Sequence, residues 1–107
     1  MTQLDIQVRR EGGKDCIAIA GSVNSYTYAE FQEKIYKSVL SSDTVIDMSK
    51  VTMLSSAGIG VLMAAIDEAE SAGHRFAICK PSEIVALAFE STGFADRFPV
   101  IESAKDF

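Results

Sequence analysis

The chain has 107 residues, 48% of them apolar, and a formal net charge of −5. That length suits one domain with its own core, and the apolar fraction excludes wholesale disorder. The ten Lys and Arg are dispersed rather than gathered into a stripe, so a nucleic-acid backbone is not the expected partner. No apolar run approaches the ~20 residues of a membrane span. Residues 1–10 lack the basic start and long apolar core of a secretory signal, which makes the cytoplasm the expected location.

Leu4, Ile6 and Val8 alternate with Asp5, Gln7 and Arg9, the period-two pattern of a strand with one wet face. Glu11-Gly12-Gly13-Lys14 turns the chain. Cys16–Ala20, almost wholly apolar, predicts a central strand antiparallel to the first, and Gly21-Ser22-Val23-Asn24 ends it. Thr27-Tyr28-Ala29-Glu30 fits a capping box at the start of a helix. Tyr28, Phe31, Ile35 and Val39 form its inner stripe, with the pairs Glu30/Lys34 and Glu33/Lys37 on the wet side. Ser41-Ser42-Asp43 breaks this helix, and Thr44–Met48 is a short β-branched run suited to another central strand.

Ser49–Leu54 then leads, as a connection, to a helix that starts at Ser55 or Ser56 and ends near Ala72, with Gly73 in the left-handed position that follows. Arg75–Cys79 supplies a strand joined through that helix by a right-handed crossover. Pro81-Ser82-Glu83 starts a third helix, which draws its buried face from Ile84, Val85, Leu87, Ala88 and Phe89 and stops at Gly93. Phe98–Ile101 is an expected edge strand, where a proline's missing N–H is tolerated. The order β-β-α-β-α-β-α-β describes an α/β fold: one domain over residues 1–107, a mixed four- to five-stranded sheet with helices packed largely on one face.

The stretch Leu54-Ser55-Ser56-Ala57-Gly58-Ile59-Gly60-Val61-Leu62 carries the functional expectation. Ile59, Leu62, Met63 and Ile66 read as the core-facing stripe of its helix. Ala57, Gly60, Val61 and Ala64 fall on the other face, with no charge before Asp67. Such a face is either covered by another element or kept bare for a partner. Gly58 and Gly60 each cost roughly 0.5–1 kcal/mol in a helix, so close packing against a strand or close approach of a partner must compensate.

Other chemistry is thin. Asp47 has no neighbouring carboxylate or histidine and reads as a loop hydrogen-bonding residue. Cys16 and Cys79, each inside an apolar run, read as buried thiols outside any disulfide or metal site. The one histidine, His74, lies eighteen residues beyond Ser56 across the same helix, roughly 27 Å away at ~1.5 Å per residue, so the two form no catalytic dyad. G-x-S-x-G, phosphate-loop and dinucleotide motifs are missing. The expected protein is not an enzyme and has no cofactor and no metal.

A hydroxyl at a helix start can instead accept a phosphoryl group. Small neighbours leave room for a kinase, first-turn N–H groups can hold the dianion, and the added charge of about −1.5 to −2 would expel a partner docked on the bare face.

The segment from Leu54 to Leu62, preceded by Val45-Ile46-Asp47-Met48-Ser49, resembles the signature of STAS domains of the bacterial anti-anti-sigma factor family. Gly21-Ser22-Val23-Asn24, Gly73-His74-Arg75-Phe76-Ala77-Ile78 and Leu87-Ala88-Phe89-Glu90-Ser91-Thr92-Gly93-Phe94 are similar to further family elements, in the right order over nearly the whole chain. The resemblance implies a STAS fold and a partner-switching cycle. An unphosphorylated member binds an anti-sigma factor that is also a serine kinase of the histidine-kinase-like ATPase fold, and so frees the sigma factor. Phosphorylation ends the contact, and a PP2C-type phosphatase restores it.

The family's phosphoserine falls on Ser56. Asn24, Ser55, Ala57, Gly58, Gly60, Val61 and Ala64 make the expected partner-binding surface of a cytoplasmic monomer that meets neither nucleic acid nor membrane. Many members have an acidic residue where this chain has Ser55, which leaves Ser55 as an alternative acceptor. The competing expectation is a non-catalytic STAS scaffold or ligand-binding module of a larger signalling or transport assembly.

Overall fold

The computed structural model describes residues 4–107; residues 1–3 of the expected domain lie outside the described residues. β1 (Leu4–Glu11) and β2 (Lys14–Val23) form an antiparallel hairpin. Its two-residue turn has φ of 58° at Gly12 and 80° at Gly13, left-handed backbone that glycine adopts without a Cβ clash. There follow α1 (Tyr28–Ser41), β3 (Asp43–Leu54), α2 (Ser56–Ala72), β4 (Phe76–Cys79), α3 (Glu83–Ser91) and β5 (Val100–Ile101). The strands lie in the order β1-β2-β3-β4-β5, the first pair antiparallel and the rest parallel, so the sheet is mixed and five-stranded.

Each parallel pair is bridged by one helix, and alternation along the strands decides what those helices cover. Ile17, Ile19, Ile46, Met48 and Ile78 are buried against Phe31, Ile35 and Val39 of α1, Leu62 and Ala65 of α2, and Val85 and Phe89 of α3. Phe89 stacks on Phe98 with ring centroids 4.0 Å apart, closing the end of the core. The intervening residues Cys16, Ala18, Val45 and Asp47 sit on the opposite face, away from α1, α2 and α3, where Ser103 and, in the short 3-10 turn Ala104–Asp106, Lys105 approach them. Cys79 is buried there and Cys16 only half-buried, and both are thiols rather than a disulfide.

β3 does not stop at Met48 but runs on to Leu54. It stays paired with β2 through two register shifts, Ala18/Ala20 against Asp47/Lys50 and Gly21/Ser22 against Val51/Met53, each of which puts one extra residue in β3. Such bulges break the alternation of faces. Val51 and Leu54 are consequently buried, while Thr52 and Met53 between them are exposed.

The capping box at Thr27 does not form. Thr27 Oγ1 donates to the Ser22 carbonyl at 2.8 Å and accepts the Asn24 N–H at 2.9 Å. Asn24 Oδ1 accepts the N–H groups of Tyr26 and Thr27 at 2.8 and 3.1 Å. These loop bonds take the hydroxyl that the helix start would have used. Tyr28 turns outward, and the buried face of α1 is Phe31, Ile35, Ser38 and Val39. Ser82, by contrast, caps α3 by accepting the Val85 N–H at 3.3 Å, and its hydroxyl donates to the Val51 carbonyl at 2.7 Å. In α3, Ile84 and Leu87 of the expected buried set stay exposed.

Candidate functional site

α2 begins where β3 ends, and its entry is tied to β2: the Ser55 N–H donates to the Val23 carbonyl at 2.8 Å. Ser55 is the N-cap, with extended backbone, its Oγ accepting the Gly58 N–H at 3.2 Å and its carbonyl accepting the Ile59 N–H at 3.0 Å. The two adjacent serines therefore have different positions. Ser55 is half-buried with its hydroxyl engaged, whereas Ser56 is the first helical residue and is exposed.

The N–H groups of Ser56 and Ala57 belong to the first turn, where a helix offers no internal acceptor. α1 and α3 carry Glu30 and Glu83 in their first turns, but α2 carries no acid there. The positive end of its dipole has no carboxylate of its own helix to meet it.

The glycines of α2 answer to different causes. A Cβ on Gly58 would lie 2.7 Å from both Leu54 Cδ1 and Val23 Cγ1, so this position is closed by the helix packing onto the ends of β2 and β3. A Cβ on Gly60 would meet nothing within 4 Å. Gly60 is exposed and leaves the helix surface bare beside Ser56.

The buried face of α2 is Gly58, Val61, Leu62, Ala65 and Ala69, with Ile59, Met63 and Ile66 half-buried at its flanks. This corrects two of the residues expected outside. Val61, only 4% exposed, is a core residue, and Gly58 is buried. Ala57 and Gly60 are exposed, and Ala64 and Asn24 half-buried. Two exposed apolar residues outside the expected set lie close in sequence to the ends of the same strands: Tyr26, 88% exposed in the turn after β2, and Met53, 50% exposed and next to last in β3. An aromatic side chain between Ser25 and Thr27 was the one available signal; Met53 fell in a stretch read as a connection.

Compared with known proteins, the sequence model for the STAS domain matches residues 5–107. The chain belongs to the STAS domain family. Structures similar to this STAS domain include an anti-sigma factor antagonist from Mycobacterium paratuberculosis, with a TM-score of 0.84 at 22% identity over 96% of this chain and 89% of that one. The anti-sigma factor antagonist SpoIIAA in its unphosphorylated form gives 0.77 at 15% identity over 95% and 90%. The phosphorylated form of the Bacillus cell fate determinant SpoIIAA gives 0.73 at 14% identity over 95% and 94%. At these identities the likeness is one of fold.

Elsewhere in this STAS domain Asp47, His74 and Asp43 are committed to bonds within the fold. Asp47 Oδ1 accepts the Ser49 N–H at 2.9 Å and the Ser49 hydroxyl at 2.7 Å. His74, past the far end of α2, has Nδ1 2.7 Å from the Val39 carbonyl in the last turn of α1. Asp43 accepts the backbone N–H of Arg75 at 2.8 Å and its Nε at 3.3 Å; that backbone donor first, and the guanidinium after it, hold the carboxyl below the usual carboxylate range. Burial, with Glu68 nearby, pushes the Tyr36 hydroxyl up. Among the described residues no group of three His, Cys, Asp or Glu could hold a metal ion, and no helix is long and apolar enough to cross a membrane.

Proposed function

We propose that this STAS domain is an anti-sigma factor antagonist that works by partner switching, with Ser56 as its phosphoacceptor. The observation that carries the reading is an exposed hydroxyl in the first turn of a helix that has no acid of its own there, beside the bare positions Ala57 and Gly60. In the unphosphorylated state Ala57, Gly60 and Ala64, flanked by Ser55, Asn24, Tyr26 and Met53, dock an anti-sigma factor that is a serine kinase of the histidine-kinase-like ATPase fold. The sigma factor is thereby released. The kinase moves the γ-phosphoryl group of ATP to Ser56 Oγ, the hydroxyl proton leaves, and ADP is the second product.

The new dianion lies beside first-turn N–H groups that stabilise it within its own protein. A docked partner would have to strip water from it, which favours release. A PP2C-type phosphatase hydrolyses the phosphoserine and restores docking. The chain itself is non-catalytic in this cycle and acts in the cytoplasm as a monomer.

Incubation with the serine-kinase anti-sigma factor of its own genome and ATP should add one phosphoryl group, mapped by mass spectrometry to Ser56 and lost in Ser56→Ala. Undiminished phosphorylation of Ser56→Ala would refute the assignment. A scaffold role predicts that Ser56→Asp leaves partner binding unchanged.

A further inference from the structure

The strand register turns Cys16, Ala18, Val45 and Cys79 to the face of the sheet away from the three α-helices, where they line a groove of about 500 Å³. The ten cations are dispersed along the sequence of this acidic chain, but in the fold four of them, Arg9, Lys14, Lys80 and Lys105, line that one groove. Of its two acids, Glu11 pairs with Arg9 at 2.8 Å, while Asp47 accepts twice from Ser49 and keeps its charge. The ammonium groups of Lys14, Lys80 and Lys105 form no salt bridge among the described residues, Lys14 lying over the Phe107 ring at 5.7 Å, and they outnumber the groove's one carboxylate outside a salt bridge, Asp47. Opposed to a net charge of −5, they make the groove a local site of positive potential.

Lys80 adds an independent sign. It is held at φ 49°, the one non-glycine residue with positive φ among the described residues. A Cβ is disfavoured in that region, and glycine or asparagine would fill it at lower cost. The position is instead filled by a lysine that lines the groove.

We propose that this groove binds a small phosphomonoester. Lysine ammonium groups are compact point charges with three donors each, suited to a tetrahedral dianion, and Ser103, whose Oγ accepts the Lys105 N–H at 3.3 Å, lines the same groove. The small apolar floor of Cys16, Ala18, Val45 and Cys79 takes the body of the ligand. The site is separate from Ser56, since the groove lies over the first half of β3, at Val45 and Asp47, and Ser56 lies two residues beyond its last residue, Leu54.

Phenyl phosphate is a suitable probe, titrated into the full chain while backbone amide spectra are recorded. Saturable shifts should centre on Cys16, Ala18, Lys80 and Ser103, and phenyl phosphate should bind more tightly than inorganic phosphate. Lys80→Gly should weaken binding by about tenfold, the loss of one charge-assisted contact. The same substitution should raise the thermal midpoint by a few degrees, because it removes the strained Cβ. Lys105→Gln, in an exposed position, should weaken binding comparably without moving the midpoint. Shifts that do not saturate, shifts centred on the first turn of α2, inorganic phosphate binding as tightly as phenyl phosphate, or undiminished binding by Lys80→Gly would each overturn the proposal.

Discussion

Gly58→Ala and Gly60→Ala add the same methyl group to the same helix two residues apart, and they should change stability in opposite directions. At Gly60 the new Cβ meets nothing within 4 Å. Only the helix propensity and the chain entropy of the unfolded state change, for a gain of about 0.5–1 kcal/mol. At Gly58 the same gain is set against contacts of 2.7 Å to Leu54 Cδ1 and Val23 Cγ1. Leu54 can swing its terminal methyl aside. Val23, fully buried and stiff at χ1, can move only with its neighbours.

Overpacking of this kind costs about 1–3 kcal/mol, which, less that gain, leaves Gly58→Ala less stable than the parent by about 1 kcal/mol, within a range of about 0–2.5. For a domain of this size 1 kcal/mol corresponds to about 4–8 °C in thermal midpoint. Urea and thermal denaturation followed by far-UV circular dichroism separate the two variants readily. A Gly58→Ala protein more stable than the parent, or a destabilised Gly60→Ala, would refute the argument that one glycine serves packing and the other an open surface.

Ser55→Ala should cost about 1 kcal/mol by removing the cap on the Gly58 N–H, while Ser56→Ala should stay within about 0.5 kcal/mol of the parent in the same denaturation experiment. Ser82→Ala should cost about 1–2 kcal/mol, because one hydroxyl both caps α3 and bonds the Val51 carbonyl of β3. Phosphorylation of Ser56 should raise stability by about 0.3–1 kcal/mol, read as a higher thermal midpoint, since the dianion meets the positive end of α2. Asp43, whose carboxyl is held low, contributes stability that is fully present above the ordinary carboxylate range and is lost as pH falls through its lower folded value. Thermal midpoints measured from neutral to acid pH should therefore fall less steeply for Asp43→Asn, from a lower neutral value.

The elements legible in the sequence are those whose local signal has no competitor. The glycine pair between an alternating run and an apolar one gives the β1–β2 hairpin, and Phe31, Ile35 and Val39 recur at helical spacing, although Tyr28, which fits the same spacing, turns outward. Gly73 adopts φ 76° at the helix end where a left-handed residue is needed. α2 is harder because alanine and glycine lie all round it, and Leu62 belongs to both readings of its face. Periodicity then follows Ile59, Met63 and Ile66, while the sheet accepts the smaller residues Gly58, Val61 and Ala65, which let the helix come close.

β3 hides its second half because two bulges erase the alternation that marks a strand. At Thr27 a serviceable capping sequence loses to Asn24 and Ser22, partners that only the folded loop brings within reach. The dispersal of lysines along the chain likewise conceals their convergence on one sheet face, since strand pairing rather than sequence spacing sets who is near whom. Ser56 is legible as the start of a helix. Which of two adjacent serines is cap and which is exposed needed the hydrogen bond from Gly58.

The central claim concerns the covalent state of one oxygen, so the most direct measurement compares two preparations that differ only there. Calorimetric titration of the unphosphorylated protein and of protein phosphorylated stoichiometrically at Ser56 into the serine-kinase anti-sigma factor should give tight binding for the first. For the second, affinity should be lower by at least about tenfold. Equal affinity of the two preparations would contradict the account.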